Sequence, residues 1–472
     1  MTSSREPFDQ SPPNTVDKED EQPQLARRIG LFDATMIVMG GIIGSGIFIN
    51  SYVVARQLSS PLLVLGAWAA GGLIALAGAF IYAELSALRP QVGGQYAYIR
   101  EAFHPMPAFL YGWTLLLVTQ TGGMAAVAVT FAKYFIELAG LPNSDWTSAV
   151  VASIVLVLLT LINCLGVRAG SSVQSALMVL KIVAIVVLIA CGLLIAGHVS
   201  GSSIVNRAGD WQPSPEYLSP TSNWQLITAF GAALVPVLFA YGGWQTSCFV
   251  AGEVREPRKN LPRGLLIGVM SVIAIYLTVN YVYTSVLGVE GLAQTKTPAT
   301  EVMGLALGEK GKAIIAIGIT ISTLGFLSQG ILTAPRVYFA MADDGLFFKS
   351  VAWLHPSTRV PVVAICLQGA LAIVIALSGR YEQILNYVVS VDSIFFGLTA
   401  ACIFVLRRRA KNSGETTFRV PGHPVTTLLF IIVEWLVGLN TIYKYPENSA
   451  VGLLILLMGI PVYFFWRQTG KR

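Results

Sequence analysis

Two glycine-rich interruptions, GGIIGSGIF (residues 40–48) and FAYGGW (residues 239–244), fall inside apolar stretches long enough to cross a bilayer. Lipid has no hydrogen-bonding partner for backbone N–H and C=O groups released by a broken helix. Such groups must face protein, water or a ligand. Breaks in corresponding places of the two halves of a chain point to the binding site of a secondary transporter.

The rest of the sequence agrees with a chain that lives in lipid. Of its 472 residues, 54% are hydrophobic and 12% charged, against about 25% charged in soluble domains. At about 20 apolar residues per crossing, the sequence predicts about twelve spans. The first six cover roughly 31–57, 61–88, 105–138, 146–167, 171–197 and 224–252. The second six cover roughly 263–288, 312–342, 360–379, 383–406, 424–443 and 448–466. The predicted class is therefore all-α and polytopic. The broken spans are the first and the sixth, so the halves are expected to be two five-helix repeats of inverted topology. On that division, residues 1–28 form a disordered tail, 29–197 the first repeat, 198–406 the second, and 407–472 two added helices with a short C-terminus.

Most of the 31 Lys and Arg residues lie on the side of the even-numbered connections, including Arg255, Arg258, Lys259 and Arg263, and Arg407, Arg408, Arg409 and Lys411. By the positive-inside rule both termini are cytoplasmic, with the chain in the plasma (inner) membrane. The net charge of +6 is explained by this topology and not by nucleic acid. Five Cys residues (164, 191, 248, 366 and 402) form no CxxC and no Cys/His cluster, so neither a disulfide nor a metal site is expected. His104, His355 and His423 each precede Pro, which suits loops and helix starts. No activated nucleophile, metal motif or paired carboxylates mark an enzyme, and no cofactor is expected.

At the first break, Gly44, Ser45 and Gly46 permit non-helical dihedrals and close backbone approach. The half-helix that follows starts with N–H groups lacking intrahelical partners. Their positive end suits a carboxylate, worth about 0.3–1 kcal/mol and up to about 2 when partly buried. Before the break, the carbonyls of Ile42 and Ile43 are released, as are those of Phe239 and Ala240 ahead of Gly242 and Gly243. Acceptors of this kind suit an ammonium group. A carboxylate site beside an ammonium site outlines an α-amino acid. The competing reading is packing: Gly40 and Gly44 form GxxxG, and Phe239 and Trp244 serve equally as core aromatics. Lys181, deep in an apolar run, costs about 2.5–3.5 kcal/mol at a span centre and needs a partner or cavity unless it snorkels. Glu84 and Glu253 fall near the ends of spans two and six, with Arg89, Arg255 and Arg258 nearby in sequence. They read either as solvated ion pairs or as an inner gate. Asp392 and Glu434 lie within spans ten and eleven.

The chain resembles the L-type amino acid transporter family of the amino acid–polyamine–organocation superfamily. The likeness rests on GGIIGSGIF, on YAELSALRPQVGGQYAYIREAF (82–103) and on FAYGGWQTSCFVAGEVREPRKNLPRG (239–264). APRVYFAMADDGLF (334–347) and GIPVYFFW (459–466) extend it over nearly the whole chain. The resemblance implies twelve helices in a five-plus-five inverted repeat. It also implies substrate carboxylate on the GSG amides, substrate amine on carbonyls of spans one and six, and Phe239 as an outer gate. By the same resemblance Lys181, grouped with Ser328 on span eight, stands where sodium-coupled relatives hold the ion. Thr119, Gln120 and Gly123 on span three border the side-chain pocket. The implied activity is sodium-independent exchange of neutral L-amino acids. The alternatives are proton-coupled symport through Lys181 and, more distantly, a non-transporting amino acid sensor. Heteromeric members carry a Cys between spans three and four, whereas AGLPNSDWT (139–147) has none. A disulfide-linked heavy chain is therefore not expected, and the chain is read as a monomer or weak homo-oligomer.

Overall fold

The computed structural model describes residues 25–142, 144–196, 222–378, 381–413, 418–444 and 446–469. The expected tail at 1–28 lies outside the described residues except for its last four positions. The described chain is helical throughout, with one isolated β-bridge between Ile29 and Val254.

In chain order the helices are α1 (Leu31–Ile42), α2 (Gly46–Ala55), α3 (Pro61–Leu88), α4 (Gln95–Ala102), α5 (Pro105–Thr114), a π-helical segment (Leu115–Thr119), α6 (Gln120–Ala139), α7 (Asp145–Cys164) and α8 (Val167–Ile195). Next come α9 (Asn223–Tyr241), a 3-10 helix (Trp244–Glu253), α10 (Pro257–Gln294), α11 (Pro298–Thr333) and α12 (Pro335–Asp343). A short 3-10 turn (Lys349–Ala352) leads to α13 (Val362–Leu377), α14 (Tyr381–Ser413), α15 (Val425–Lys444) and α16 (Pro446–Thr469). Ten helical stretches are long and apolar enough to cross a membrane, and α1 with α2, bent by 41°, makes an eleventh. The 16-residue α13 is a shorter apolar helix. The chain is a multi-pass membrane protein with helices at all twelve anticipated places.

Sequence signals set many of the helix boundaries. Ser60 accepts from the Leu63 amide at 3.2 Å ahead of Pro61, and His104 accepts from the Met106 amide at 3.1 Å ahead of Pro105. Both follow the rule of a polar cap followed by proline at the first helical position. Other features follow from residues whose effect was not read in advance. The amphipathic α4 is too short and polar to register as a span. Gly288 and Gly308, at φ 67° and 62°, kink α10 and α11. The π-helical segment lies in the third span, where Thr121 Oγ1 donates to the Leu116 carbonyl five residues back, at 2.6 Å.

Burial sorts the helices into centre and rim. In their most apolar windows, the span Pro105–Ala139 is 72% buried and Pro298–Asp343 67%, whereas α16 is 22% buried and α8 28%. Spans three and eight are thus central, and the rim helices present Leu, Ile and Phe to lipid. The two ends of the described chain meet on one face of the bundle. Leu25 packs with Phe339 and Leu354, while Trp466 lies 4.6 Å from the Phe348 ring and 6.2 Å from that of Phe347. This side is called the terminal face below.

Candidate functional site

The first span breaks at Ile43–Ser45, between the end of α1 and the start of α2. The second breaks at Gly242 and Gly243, where α9 gives way to a 3-10 helix. The fold brings the two breaks into contact. A Cβ at Gly41 would lie 2.5 Å from the Gly243 carbonyl oxygen, and one at Gly243 2.1 Å from the Gly41 oxygen. Only glycine permits this backbone-to-backbone approach, and Gly243 also has φ 102°, a left-handed conformation. Gly46 faces Ala240, with a Cβ there 3.3 Å from the Ala240 Cα.

The amides past the first break have no acceptor. The Ile43 amide still bonds Met39 O and that of Gly44 bonds Ile42 O, and helical bonding resumes with Phe48 to Ser45 O. Among the described residues, no hydrogen bond engages the amides of Ser45, Gly46 or Ile47. Three adjacent donors at a helix start form the kind of cluster that receives an anion.

The carbonyls at the breaks are not orphaned, which corrects the expectation from sequence. Tyr276 Oη lies 3.2 Å from both Ile42 O and Ala240 O and bridges the two broken spans. Lys181 Nζ donates to Ile43 O, Ser322 Oγ donates to Gly44 O at 3.1 Å, and the Gly242 amide reaches Phe239 O at 3.2 Å. Each carbonyl oxygen has a second lone pair, so the single protein donor at Ile43, Phe239 and Ala240 leaves room for another, whereas Ile42 O already accepts from both the Gly44 amide and Tyr276 Oη. The Tyr276 ring is packed edge-on by Trp68 and tilted against Tyr241, at 5.4 and 5.0 Å.

Lys181 is fully buried and points at the break, so it does not snorkel. A Cβ at Gly325 would lie 3.3 Å from its Nζ, which shows how α11 makes space for the ammonium. Ser328, grouped with Lys181 from sequence, is buried without a partner for its hydroxyl. The serine that binds the break is Ser322, two turns earlier on the same helix. Thr119 closes the π-helical segment, with its hydroxyl buried and unpartnered. Gly123, one turn on, has no atom within 4 Å of an ideal Cβ and so borders open space. Phe239 is 42% exposed.

The terminal side of the site is tightly closed. Arg336 donates from Nε and Nη2 to the two Glu253 oxygens, both at 2.9 Å, with both side chains fully buried. Arg407 makes the same two-pronged contact with Glu84 at 2.7 Å, and the Val420 amide adds a bond at 2.6 Å. The carboxylates are therefore neither solvated nor paired with their sequence neighbours. Arg89 instead meets Glu101 at 2.5 Å. Removing one member of a buried pair typically costs about 3–5 kcal/mol because a bare charge is left behind. A strap ahead of α1 adds to the closure. The Arg28 and Ile29 amides donate to Glu253 O at 2.8 and 2.9 Å, and the Arg255 amide donates to Ile29 O at 2.8 Å. Asp392 and Glu434 lie on the neighbouring helices α14 and α15.

Sequence reasoning found the breaks and Lys181 but not Tyr276, Ser322, Arg336 or Arg407. These reach the site from remote helices, and a lone Tyr or Ser in an apolar run gives no local signal. For Arg336 the one clue is an arginine six residues before the end of an otherwise apolar stretch.

Comparison with known proteins bears on the same architecture. A family model for amino acid permeases matches residues 29–465. The serine/threonine exchanger SteT of Bacillus subtilis is 30% identical over 94% of this chain and 98% of its own length. The mouse large neutral amino acids transporter small subunit 2 is 29% identical over 95% of this chain and 83% of its own. The mouse b(0,+)-type amino acid transporter 1 is 27% identical over 96% and 90%. A chain whose helices break at two touching glycine sites, and which the family model covers almost from end to end, belongs to the amino acid permease family.

Proposed function

We propose that this permease exchanges neutral L-amino acids across the membrane by alternating access. The observation that carries the proposal is the set of unpartnered amides at Ser45, Gly46 and Ile47, set against Ala240 of the second broken span. They take the substrate carboxylate. The second lone pairs of Ile43, Phe239 and Ala240 take the ammonium, beside the fully engaged Ile42 carbonyl, with Gly44, Gly242 and Gly243 keeping the backbones close. Thr119 and Gly123 border the side-chain pocket, and these walls are uncharged, in keeping with a neutral substrate. Phe239 swings over the bound substrate as the outer gate. Glu84 and Glu253, held by Arg407 and Arg336, form the inner gate, which is shut in this structure.

Exchange without sodium is supported by the full burial of Lys181 and its contact with the Ile43 carbonyl. A fixed ammonium there serves as a built-in cation bracing α1 against α8 and α11, with Ser328 beside it. The same buried position at the break favours a second reading, proton-coupled symport through Lys181. The terminal face is cytoplasmic, the membrane is the plasma (inner) membrane, and the five-plus-five repeat at 29–197 and 198–406 supplies the two bodies that move. No disulfide-linked heavy chain is needed.

Proteoliposomes loaded with or without internal amino acid separate the readings. An exchanger takes up labelled substrate only with amino acid inside and is indifferent to sodium. Uptake driven into empty liposomes by a pH gradient alone would replace exchange with symport.

A further inference from the structure

On the terminal side of the bundle, α7 and α13 pack as antiparallel neighbours. A Cβ at Gly369 would lie 2.5 Å from Thr160 Oγ1, so the glycine lets the two backbones close together. One turn nearer the terminal face from that contact, the Sγ atoms of Cys164 and Cys366 are 3.9 Å apart, although 202 residues separate them in sequence. Both are free thiols. Cys366 is exposed and Cys164 partly buried. Leu161 on α7 and Leu165 just past its end are 57% and 70% exposed, an apolar surface of the kind that meets lipid. Two thiols 3.9 Å apart on closely packed helices are candidates for a disulfide. An oxidant dissolved in the bilayer reaches Cys366 from that surface.

We propose that Cys164 and Cys366 form a redox modification site, which lipid hydroperoxides convert to a disulfide linking α7 to α13. In the first step the Cys366 sulfur attacks the terminal peroxide oxygen. The O–O bond breaks, the lipid leaves as its alcohol, and Cys366 becomes a sulfenic acid. In the second step the Cys164 sulfur attacks the Cys366 sulfur. The S–S bond forms, the S–O bond breaks, and the hydroxyl leaves with the Cys164 thiol proton as water. Overall two thiols lose two electrons and two protons, and one hydroperoxide becomes an alcohol and a water. A small dithiol reverses the link. Neither helix belongs to a broken span, and Cys164 lies in the proposed first five-helix repeat and Cys366 in the second, so the bond ties the two repeats together away from the breaks.

The full-length protein is reconstituted in liposomes of unsaturated phosphatidylcholine, with or without phosphatidylcholine hydroperoxide, and mapped by non-reducing peptide mass spectrometry. The expected result is a peptide pair joined through Cys164 and Cys366, lighter by two hydrogens, that dominates only in hydroperoxide liposomes and vanishes with dithiothreitol. In Cys164→Ser the link is lost and dimedone traps a sulfenic acid at Cys366. Two findings would overturn the proposal. One is that both wild-type thiols remain alkylatable after hydroperoxide exposure. The other is that copper–phenanthroline, which oxidises any thiols within reach, fails to join them.

Discussion

At the residue scale, the site depends on backbone atoms that a few side chains hold in register. Tyr276 is the clearest case, since one hydroxyl lies within reach of a carbonyl from each broken span. Tyr276→Phe keeps the ring packing but removes that donor from two buried acceptors. Unfolding in detergent should show a loss of about 1–3 kcal/mol, the usual penalty for an unpaired buried polar group. An unchanged stability would mean the bridge does not form. Gly123 tests the opposite situation. With nothing within 4 Å of its Cβ position, Gly123→Ala should leave stability within about 0.5 kcal/mol. It should weaken large substrates more than alanine or serine in a competition assay. Equal effects on all substrates would take Gly123 out of the pocket wall. The glycines were legible in the sequence because a GSG or GGW in an apolar run is a local anomaly. The partners that satisfy the released carbonyls were not. Their positions depend on how α8, α10 and α11 pack, and no local pattern encodes that.

At the element scale, the second broken span is tied down on its terminal side by a strap and by the Glu253–Arg336 ion pair. The strap is sequence-independent in its chemistry, being main-chain hydrogen bonds between Arg28–Ile29 and the Glu253–Arg255 segment. Proline at position 29 removes one donor and its ring perturbs the bridge to Val254. Ile29→Pro should therefore loosen the closed side. Cys248, fully buried just beyond the second break, provides a native reporter. Its alkylation by maleimide applied from the terminal side should rise several-fold in the variant, and an unaltered rate would show that the strap does not hold the gate. Element existence was readable from apolar length alone, and proline with a polar cap fixed several starts. The kinks at Gly288 and Gly308 and the short helix α4 were not readable, because a single glycine barely alters the apolar pattern of a long helix and eight mixed residues are too few to set one.

At the scale of the whole molecule, the ends of the described chain converge on one short segment, through Leu25 with Leu354 and Trp466 with Phe348. Epitope tags added at the two ends should thus be cleaved together by protease from one side of sealed vesicles. Cleavage of one tag from each side would contradict the fold. The positive-inside bias predicts the sidedness, which the same vesicles test by their orientation. On the proposed function, unpaired amides and half-satisfied carbonyls at the two touching breaks hold both ends of a zwitterion. The most direct test compares, in proteoliposomes, the affinity for one transported amino acid with that for its deaminated acid and its decarboxylated amine. Each analogue should bind more weakly by roughly 1–3 kcal/mol, the cost of leaving buried donors or acceptors unpaired. An analogue that binds as tightly as the amino acid would contradict it.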